Sequence, residues 1–513
     1  MSLTNPTMPP LPAAAAARLA ALGVSMEELT DTFIGYPCAQ DFSYPEIVPF
    51  LRYAINNVGD PFGESIYREN TFALEREVVA FFQKHLRAPA NDTWGYMTSG
   101  GTEGNLYGLY LARETHPAGI IYYSEHTHYS AAKLVRVLGA RSIMIRGQDN
   151  GEIDYEDLRE TIRIHRDAPP IILANIGTTM HGAVDNLTTI RSILKELAVA
   201  RYFIHADAAL SGMLLPWVDD PQPFGFDAGI DSIAVSGHKF IGSPMPCGVV
   251  LARQRHVDRV ARSVEYVGCM DTTIAGSRNA VTPIVMWSAI QRWGEAGFRQ
   301  RMQHSLAMAD YTIAAFAKHG INAWRHPNSI TVVFPRPADA VIRNWQIAPS
   351  GDIAHIITMP HVTCEMIDKV VRETAAPTPL TAMKQITVIT PPNQAGTLAD
   401  LADVLAKQQV NILDMEVLDD HTHGVIVLHA EPHDLALRAL SEAGFHAVSD
   451  DLLVIRIEDQ PGGVARIAAR FREPALNIRS MRIARRDNGW ATVILSTDDN
   501  DRAKELLGDC LAG

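Results

Sequence analysis

Residues 202–242 read YFIHADAALSGMLLPWVDDPQPFGFDAGIDSIAVSGHKFIG. Two apolar runs in this stretch, Tyr202–Ala206 and Ser232–Val235, each stop at polar groups: Asp207-Ala208-Ala209 after the first, Ser236-Gly237-His238-Lys239 after the second. A short apolar run bounded by turn-forming residues is the pattern of a strand buried on both faces. Working outward, Ile120–Tyr123 and Ile171–Asn175 repeat it, separated by helical periodicities, between Phe33 and about Arg372. That alternation predicts an α/β body on a mainly parallel sheet. Ligands of open parallel sheets gather at the strand C-termini, so the polar groups that end these runs are the candidate site.

The bulk composition agrees with such a body and narrows its partners. At 513 residues the chain exceeds what one hydrophobic core serves, and 47% apolar with 20% charged residues excludes wholesale disorder. A formal net charge of −13 argues against nucleic acid or an anionic membrane as partner, because both demand a basic face. The five cysteines, Cys38, Cys247, Cys269, Cys364 and Cys510, are scattered and lack CxxC spacing, so neither a disulfide framework nor a metal site is expected. Met1–Pro12 has no basic start followed by an apolar core, and no run of 18 apolar residues occurs, which places the expected location in the cytoplasm.

Composition also sets the expected boundaries. Pro6, Pro9, Pro10 and Pro12 lead into an Ala-rich segment ending near Gly23, read as an arm and short helix within residues 1–34. The main body, with a small C-terminal subdomain, takes residues 35–373. The stretch TAAPTPLTAM (374–383) interrupts the periodicity as an inter-domain linker would. Beyond it the chain repeats itself. Ile386–Thr390, NQAG, a helix with Leu398, Leu401, Val404 and Leu405 on one face, and Val410–Ile412 are echoed by Leu452–Ile457, DQPGG, a second helix and Leu476–Ile478. The two copies are assigned to residues 384–450 and 451–513.

Three features of the body converge on one chemistry. Thr98-Ser99-Gly100-Gly101-Thr102-Glu103-Gly104-Asn105 precedes the helical run LYGLYLARE, so glycines and hydroxyls crowd a helix N-terminus able to hold a phosphate. Alone, this reads equally as a structural helix cap. Asp207 ends an apolar strand; paired with a pyridine nitrogen it would keep that nitrogen protonated and make the ring an electron sink, although an Asp also serves as an ordinary N-cap. Lys239 lies just past another strand and before Phe240, Ile241 and Gly242, where an amine could bond covalently to an aldehyde cofactor. His128, in SEHTHYS, offers an imidazole face to stack on such a ring, whereas a His126–His128 metal pair lacks the carboxylates and spacing that metal sites need.

Taken together, TSGGTEGN, THYS, HADAALSG, VSGHKFIGSPMPCG and GSRN resemble the group II pyridoxal-phosphate-dependent decarboxylases, in the branch of bacterial histidine decarboxylases and plant serine decarboxylases. The resemblance covers roughly Gly35–Arg372 and extends to INAWRHPNSITVVFPRP and SGDIAHIITMPHV. It implies fold type I, the aspartate-aminotransferase-like architecture, and decarboxylation of an L-amino acid to an amine and CO2. Carried onto this chain, the resemblance implies that Lys239 holds pyridoxal 5'-phosphate, Asp207 pairs with its ring nitrogen and His128 stacks on the ring. It assigns Gly100, Gly101, Thr102, Ser236 and His238 to the phosphate side, with Ala209 beside the ring. Tyr266, in VEYVGCMDTT, falls where the family has a proton-donating loop tyrosine, and Arg278 near the cofactor end of a homodimer interface.

Two departures bear on substrate. Ser65-Ile66-Tyr67 stands where the branch has SNY, and Gly276-Ser277-Arg278-Asn279-Ala280-Val281 where it has GSRNGH; both exchange polar groups for apolar ones. If they line the substrate pocket, an aliphatic side chain such as valine or leucine is favoured; if both lie away from it, histidine is the expected substrate. A lyase of aldolase or desulfurase type would use the same lysine and acid, and a catalytically inactive amino-acid sensor is the alternative of a different class.

The C-terminal repeat resembles the ACT domain, a ferredoxin-like α+β module that binds regulatory amino acids. The resemblance points to Asn393, Gly396 and Asn411 in the first copy and Asp459, Gly462 and Asn477 in the second as ligand positions. All six also read as turn and cap residues.

Overall fold

Along β-strands successive side chains face opposite ways, and here that period sorts the body into two cores. Ile171 and Leu173 pack on one side of the sheet, Ile172 and Ala174 on the other; Phe203 joins the first set, Ile204 and Ala206 the second. The computed structural model describes residues 10–89, 91–265, 268–376, 386–390, 396–419, 424–449, 453–460, 462–472, 476, 478–487, 490–497, 500–508 and 510. The chain divides into two units, residues 1–376 and 377–513.

The first unit opens with α1 (Ala13–Thr30), none of whose residues is buried. The expected short helix continues through Gly23, because Met26-Glu27-Glu28-Leu29 favours helix strongly enough to offset a glycine penalty of roughly 1 kcal/mol. Next come β1 (Asn56–Val58), α2 (Phe72–His85), β2 (Thr93–Thr98), α3 (Gly101–Thr115), β3 (Ile120–Ser124), α4 (Ser130–Leu138), β4 (Arg141–Ile145), α5 (Tyr155–Ile164) and β5 (Pro170–Asn175). They are followed by α6 (Leu187–Glu196), β6 (Phe203–Asp207), β7 (Ser232–Ser236), β8 (Gly248–Arg253), α7 (Gln254–Val257), β9 (Arg262–Val264), β10 (Cys269–Asp271) and β11 (Ser277–Asn279). The unit closes with α8 (Val281–Ala317), β12 (Thr331–Pro335), α9 (Asp339–Asn344), β13 (Ala348–Ser350), β14 (Ile353–Ile357) and α10 (Cys364–Ala375). Helix α10 therefore takes in Thr374 and Ala375, which the sequence reading placed in the linker.

Seven strands form the central sheet in the order β2-β8-β7-β6-β5-β3-β4. Only β8 runs against its neighbours β7 and β2; the pairs β3–β4, β3–β5, β5–β6 and β6–β7 are parallel. The mainly parallel sheet is thus as expected, and its directions bring Thr98, Ser124, Asn175, Asp207 and Ser236 to one edge. Helices α3, α4 and α7 cover one face; α2, α5, α6 and α8 cover the other. Wholly buried Phe82, Phe203, Phe240 and Phe298 each add about 1.5–3 kcal/mol of burial. A smaller sheet, β12-β14-β13, belongs to the end of the unit.

In the second unit each repeat folds as one α+β module. The first comprises β15 (Ile386–Thr390), α11 (Thr397–Lys407), β16 (Asn411–Asp419), β17 (Gly424–Glu431), α12 (His433–Glu442) and β18 (His446–Ser449), with sheet order β16-β17-β15-β18. The second comprises β19 (Leu453–Glu458), α13 (Gly463–Arg470), β20 (Ile478–Asp487), β21 (Trp490–Thr497) and α14 (Asn500–Leu507), with order β19-β21-β20. Leu401 and Leu405 are buried and Val404 packs against them, but Leu398, expected on the same face, is 41% exposed in the first turn of α11.

Candidate active site

Strand alternation, which decides the cores, also decides the site. With Phe203 under α3, residues 205 and 207 must face α3 as well, so His205 and Asp207 project from β6 toward that helix. On β7, Ile233 belongs to the opposite core, which leaves Ser232, Ala234 and Ser236 facing α3. The register pairs His205 with Ser232 and Asp207 with Ala234. Helix α3 meets this surface through glycines: a Cβ at Gly104 would come within 2.8 Å of Ala234 Cβ, and one at Gly108 would overlap the His205 ring.

The N-terminus of α3 supplies the phosphate side. Gly100 takes φ +154° at the N-cap and no side chain caps the helix. A Cβ at Gly101 would come within 2.7 Å of Ser236 Oγ and 3.5 Å of Ala209 Cβ, so Gly101, Ser236 and Ala209 converge. Thr102 is exposed in the same turn. Ala209 accepts from the Ser236 N–H at 3.0 Å. His238 donates from Nδ1 to the Cys247 carbonyl (3.0 Å), and burial lowers its pKa, leaving a neutral ring.

Asp207, 8% exposed, accepts from Asn105 Nδ2 at 2.7 Å and from the Ala209 N–H at 3.2 Å. Among the described residues no hydrogen bond or ion pair engages the Lys239 amine. Its side chain retains some access to solvent, yet the amine lies deep enough for burial to lower its pKa, against the attraction of Asp207 and of the Cys38 thiol. His128 lies in the same field: burial lowers its pKa, Asp207 raises it, and Lys239 and Lys133 lower it further. Its Nδ1 accepts from Ser130 Oγ at 2.8 Å, which fixes the ring, and Tyr129, 78% exposed, packs beside it with centroids 4.3 Å apart.

The structure thus gathers Gly101, Ala209 and Ser236 at one end, with Gly100 and Thr102 in the same turn of α3, and Asp207, His128 and Lys239 at the other; His238 is bonded to Cys247 and lies in the field of Lys239. Tyr266 lies outside the described residues, between β9 and β10 in sequence; those two strands pair antiparallel, and Asp60 accepts from Thr272 Oγ1 (3.0 Å) and Trp94 Nε1 (3.2 Å). Arg278 turns inward to the wholly buried Glu75 and to the Gly59 carbonyl (3.0 Å). Asn105, His205 and Gly108 escaped the sequence reading, although Gly101, Gly104 and Gly108 share one face of a helix and the His-x-Asp spacing shares one face of a strand. Of the regulatory positions, Asn393 and Asn477 lie outside the described residues. Gly396 and Gly462 adopt positive φ at the N-caps of α11 and α13, and Asn411 begins β16. Asp459 and Gly462 border a cavity of about 730 Å³.

A helix N-terminus without a side-chain cap, a carboxylate held by neutral donors and a buried amine with no hydrogen-bond or ion-pair partner among the described residues fit pyridoxal phosphate, and they define a cofactor-dependent amino-acid enzyme. Comparison with known proteins makes the class specific. Residues 67–323 match the pyridoxal-dependent decarboxylase conserved domain, and residues 381–509 the ACT domain pair. The chain is 49% identical over 346 residues to histidine decarboxylase of Pseudomonas entomophila (strain L48), covering 67% of this chain and 86% of that protein. It is 50% identical over 347 residues to histidine decarboxylase of Morganella morganii, covering 67% and 92%. The crystal structure of L-methionine decarboxylase from Streptomyces sp.590 shares the fold at a TM-score of 0.65 and 24% identity, covering 72% of this chain and 97% of that one. The chain belongs to the pyridoxal-dependent decarboxylase family. It is a pyridoxal-phosphate-dependent amino-acid decarboxylase with an ACT domain pair, which sets aside both the other lyase chemistries and the inactive sensor.

Proposed function

We propose that the substrate is an L-amino acid with an aliphatic side chain, valine or leucine. The observation that carries this is a cavity of about 420 Å³ lined by Val58, Ile66, Val264 and Met270, with Tyr67 and Asp271 also on its wall. Ile66 is one of the two apolar departures from the family pattern. The other, Ala280-Val281, is not among the lining residues: Ala280 caps α8 and Val281 packs toward the main core. Its four apolar side chains offer an aliphatic substrate a surface to pack on, while Tyr67, Asp271 and Ser277 are the polar groups on that wall. Histidine is the second reading, favoured by the names of relatives about half identical to this chain.

Bound pyridoxal phosphate supplies the electron sink that receives the electron pair of the breaking Cα–carboxylate bond. Around it, Lys239 is assigned as the anchor and proton carrier and Asp207 as the counter-ion of the ring nitrogen. His128 is the flat support of the ring, and Gly100, Gly101, Thr102, Ser236 and His238 are the phosphate grip, with Ala209 alongside. Tyr266 is proposed to return a proton to the substrate carbon. Two copies are proposed to pair, so that the apolar cavity serves the partner's site. Exposed Val48, Leu51, Phe62, Ile66 and Met270 favour this, since so much apolar surface is costly in water. The ACT pair is proposed to bind a regulatory amino acid at Asn393, Gly396 and Asn411 and at Asp459, Gly462 and Asn477, and a cytoplasmic setting keeps the five thiols reduced.

The test is CO2 release by the cofactor-loaded protein from each proteinogenic L-amino acid. Highest kcat/KM on valine or leucine is expected. Highest kcat/KM on histidine would overturn the aliphatic assignment in favour of the second reading.

A further inference from the structure

We propose that Asn105, His205 and Ser232 are positioning residues that hold the Asp207 carboxylate in one orientation toward the cofactor ring. The inference rests on the role of Asp207 given above and goes beyond it. Asn105 Nδ2 lies 2.7 Å from Asp207 Oδ2, Asn105 Oδ1 lies 3.0 Å from His205 Nε2, and His205 Nδ1 lies 2.7 Å from Ser232 Oγ. His205 and Ser232 are wholly buried and Asn105 is 4% exposed, so water does not compete for these groups.

The chain of bonds has one consistent direction. An ionised carboxylate only accepts, so the Asn105 amide must turn its NH2 to Asp207 and its oxygen to His205. The imidazole must then carry its proton on Nε2, and Nδ1 must accept from the Ser232 hydroxyl. Burial pushes the His205 pKa down to about 4, which keeps the ring neutral and every bond in the chain singly satisfied. A neutral donor leaves Asp207 its full charge, whereas a cation in contact would compete with the ring nitrogen for it. The amide also sets a spacer between the imidazole and the acid.

Helix α3 makes the arrangement rigid. Its first turn forms the phosphate grip and Asn105 follows within the next, so both ends of the cofactor are held from one helix. Gly108, one turn further, leaves the space that the His205 ring occupies.

The experiment compares the full-length protein with Asn105→Ala, Ser232→Ala and Ser232→Thr. It measures the pyridoxal-phosphate dissociation constant, the pH dependence of the bound cofactor's absorption spectrum, and kcat and KM. Loss of a partner that orients a metal ligand costs roughly 10–100-fold, and a residue that orients the acid beneath a cofactor ring is taken as the comparable case. Asn105→Ala is therefore expected to weaken cofactor binding and lower kcat within that range, to shift the spectral titration, and to leave KM nearly unchanged. Ser232→Ala should move the same readouts less, and Ser232→Thr should restore them. Should Asn105→Ala not fold, Ser232→Ala carries the same measurement. Wild-type dissociation constant and spectral titration in the folded alanine variants, even with a lowered melting temperature, would reduce the chain to packing and overturn the proposal. Failure of the unaltered protein to bind cofactor would instead overturn the role of Asp207 on which it rests.

Discussion

Lys239 is unusual for what it lacks: a buried amine with no partner among the described residues is costly unless something else is meant to bond it. Because burial lowers its pKa, more of it is unprotonated near neutrality than of an ordinary lysine. Capture of pyridoxal phosphate by the cofactor-free protein should thus gain rate with pH and reach half its plateau below the ordinary lysine value of about 10.4. A half-plateau at or above that value, followed by absorbance, would contradict the burial argument. The phosphate side gives a steric prediction. Gly101→Ala drives a methyl to 2.7 Å from Ser236 Oγ, so cofactor affinity should fall by on the order of tenfold or more while Thr102→Ala, at an exposed position, changes it less. Lys239, Asp207 and the glycine turn were legible because each ends a recognisable strand or begins a helix. Asn105 stands in the sequence only as the last letter of a motif, since its partner is an acid 102 residues away and no local pattern announces such a bond.

At the scale of elements, the apolar runs placed β3, β5, β6 and β7 to within a residue or two. Strands β2 and β8 were not singled out: TWGYMT mixes aromatic, hydroxyl and glycine residues, and GVVLAR follows a long loop, so neither advertises its place in the sheet. Helix α1 outran its expected end because glycine penalises a helix without forbidding it. Buried histidines in and beside the sheet make stability depend on pH. The pKa of His205 lies near 4 when folded and 6.5 otherwise, so between these values the unfolded chain binds more protons. Acidification through that window must therefore destabilise the fold, by roughly 3 kcal/mol at most for this residue. His181, also pushed to about 4 mainly by burial, adds in the same sense. Asp185 opposes them: burial raises its pKa to about 6 from 3.8, so the folded state binds the extra proton over that range and gains stability as pH falls. Denaturant midpoints should drop on acidification from pH 6.5 to 4, and the drop should steepen in Asp185→Asn, which removes the offset. A midpoint that rises over this range would contradict the assignment of these groups as buried and neutral.

On the scale of the whole molecule, the chain joins a catalytic unit with its own cores to a unit built as a repeat. The repeat was legible from its two Gly-containing segments, each at the same place before a helix, whereas no motif in them names a ligand. If the second unit senses an amino acid, a chain ending at Ala376 should keep kcat within a few-fold and lose any response to amino acids that alter the full-length enzyme; equal responses in both would remove the sensing role. Everything assigned to the first unit depends on one bond. Borohydride reduction of the loaded protein followed by peptide mapping locates it: the account predicts the pyridoxyl mass on the peptide bearing Lys239 and its loss in Lys239→Ala, with activity down at least about 1000-fold. The same mass on another lysine, or none on this one, would contradict it.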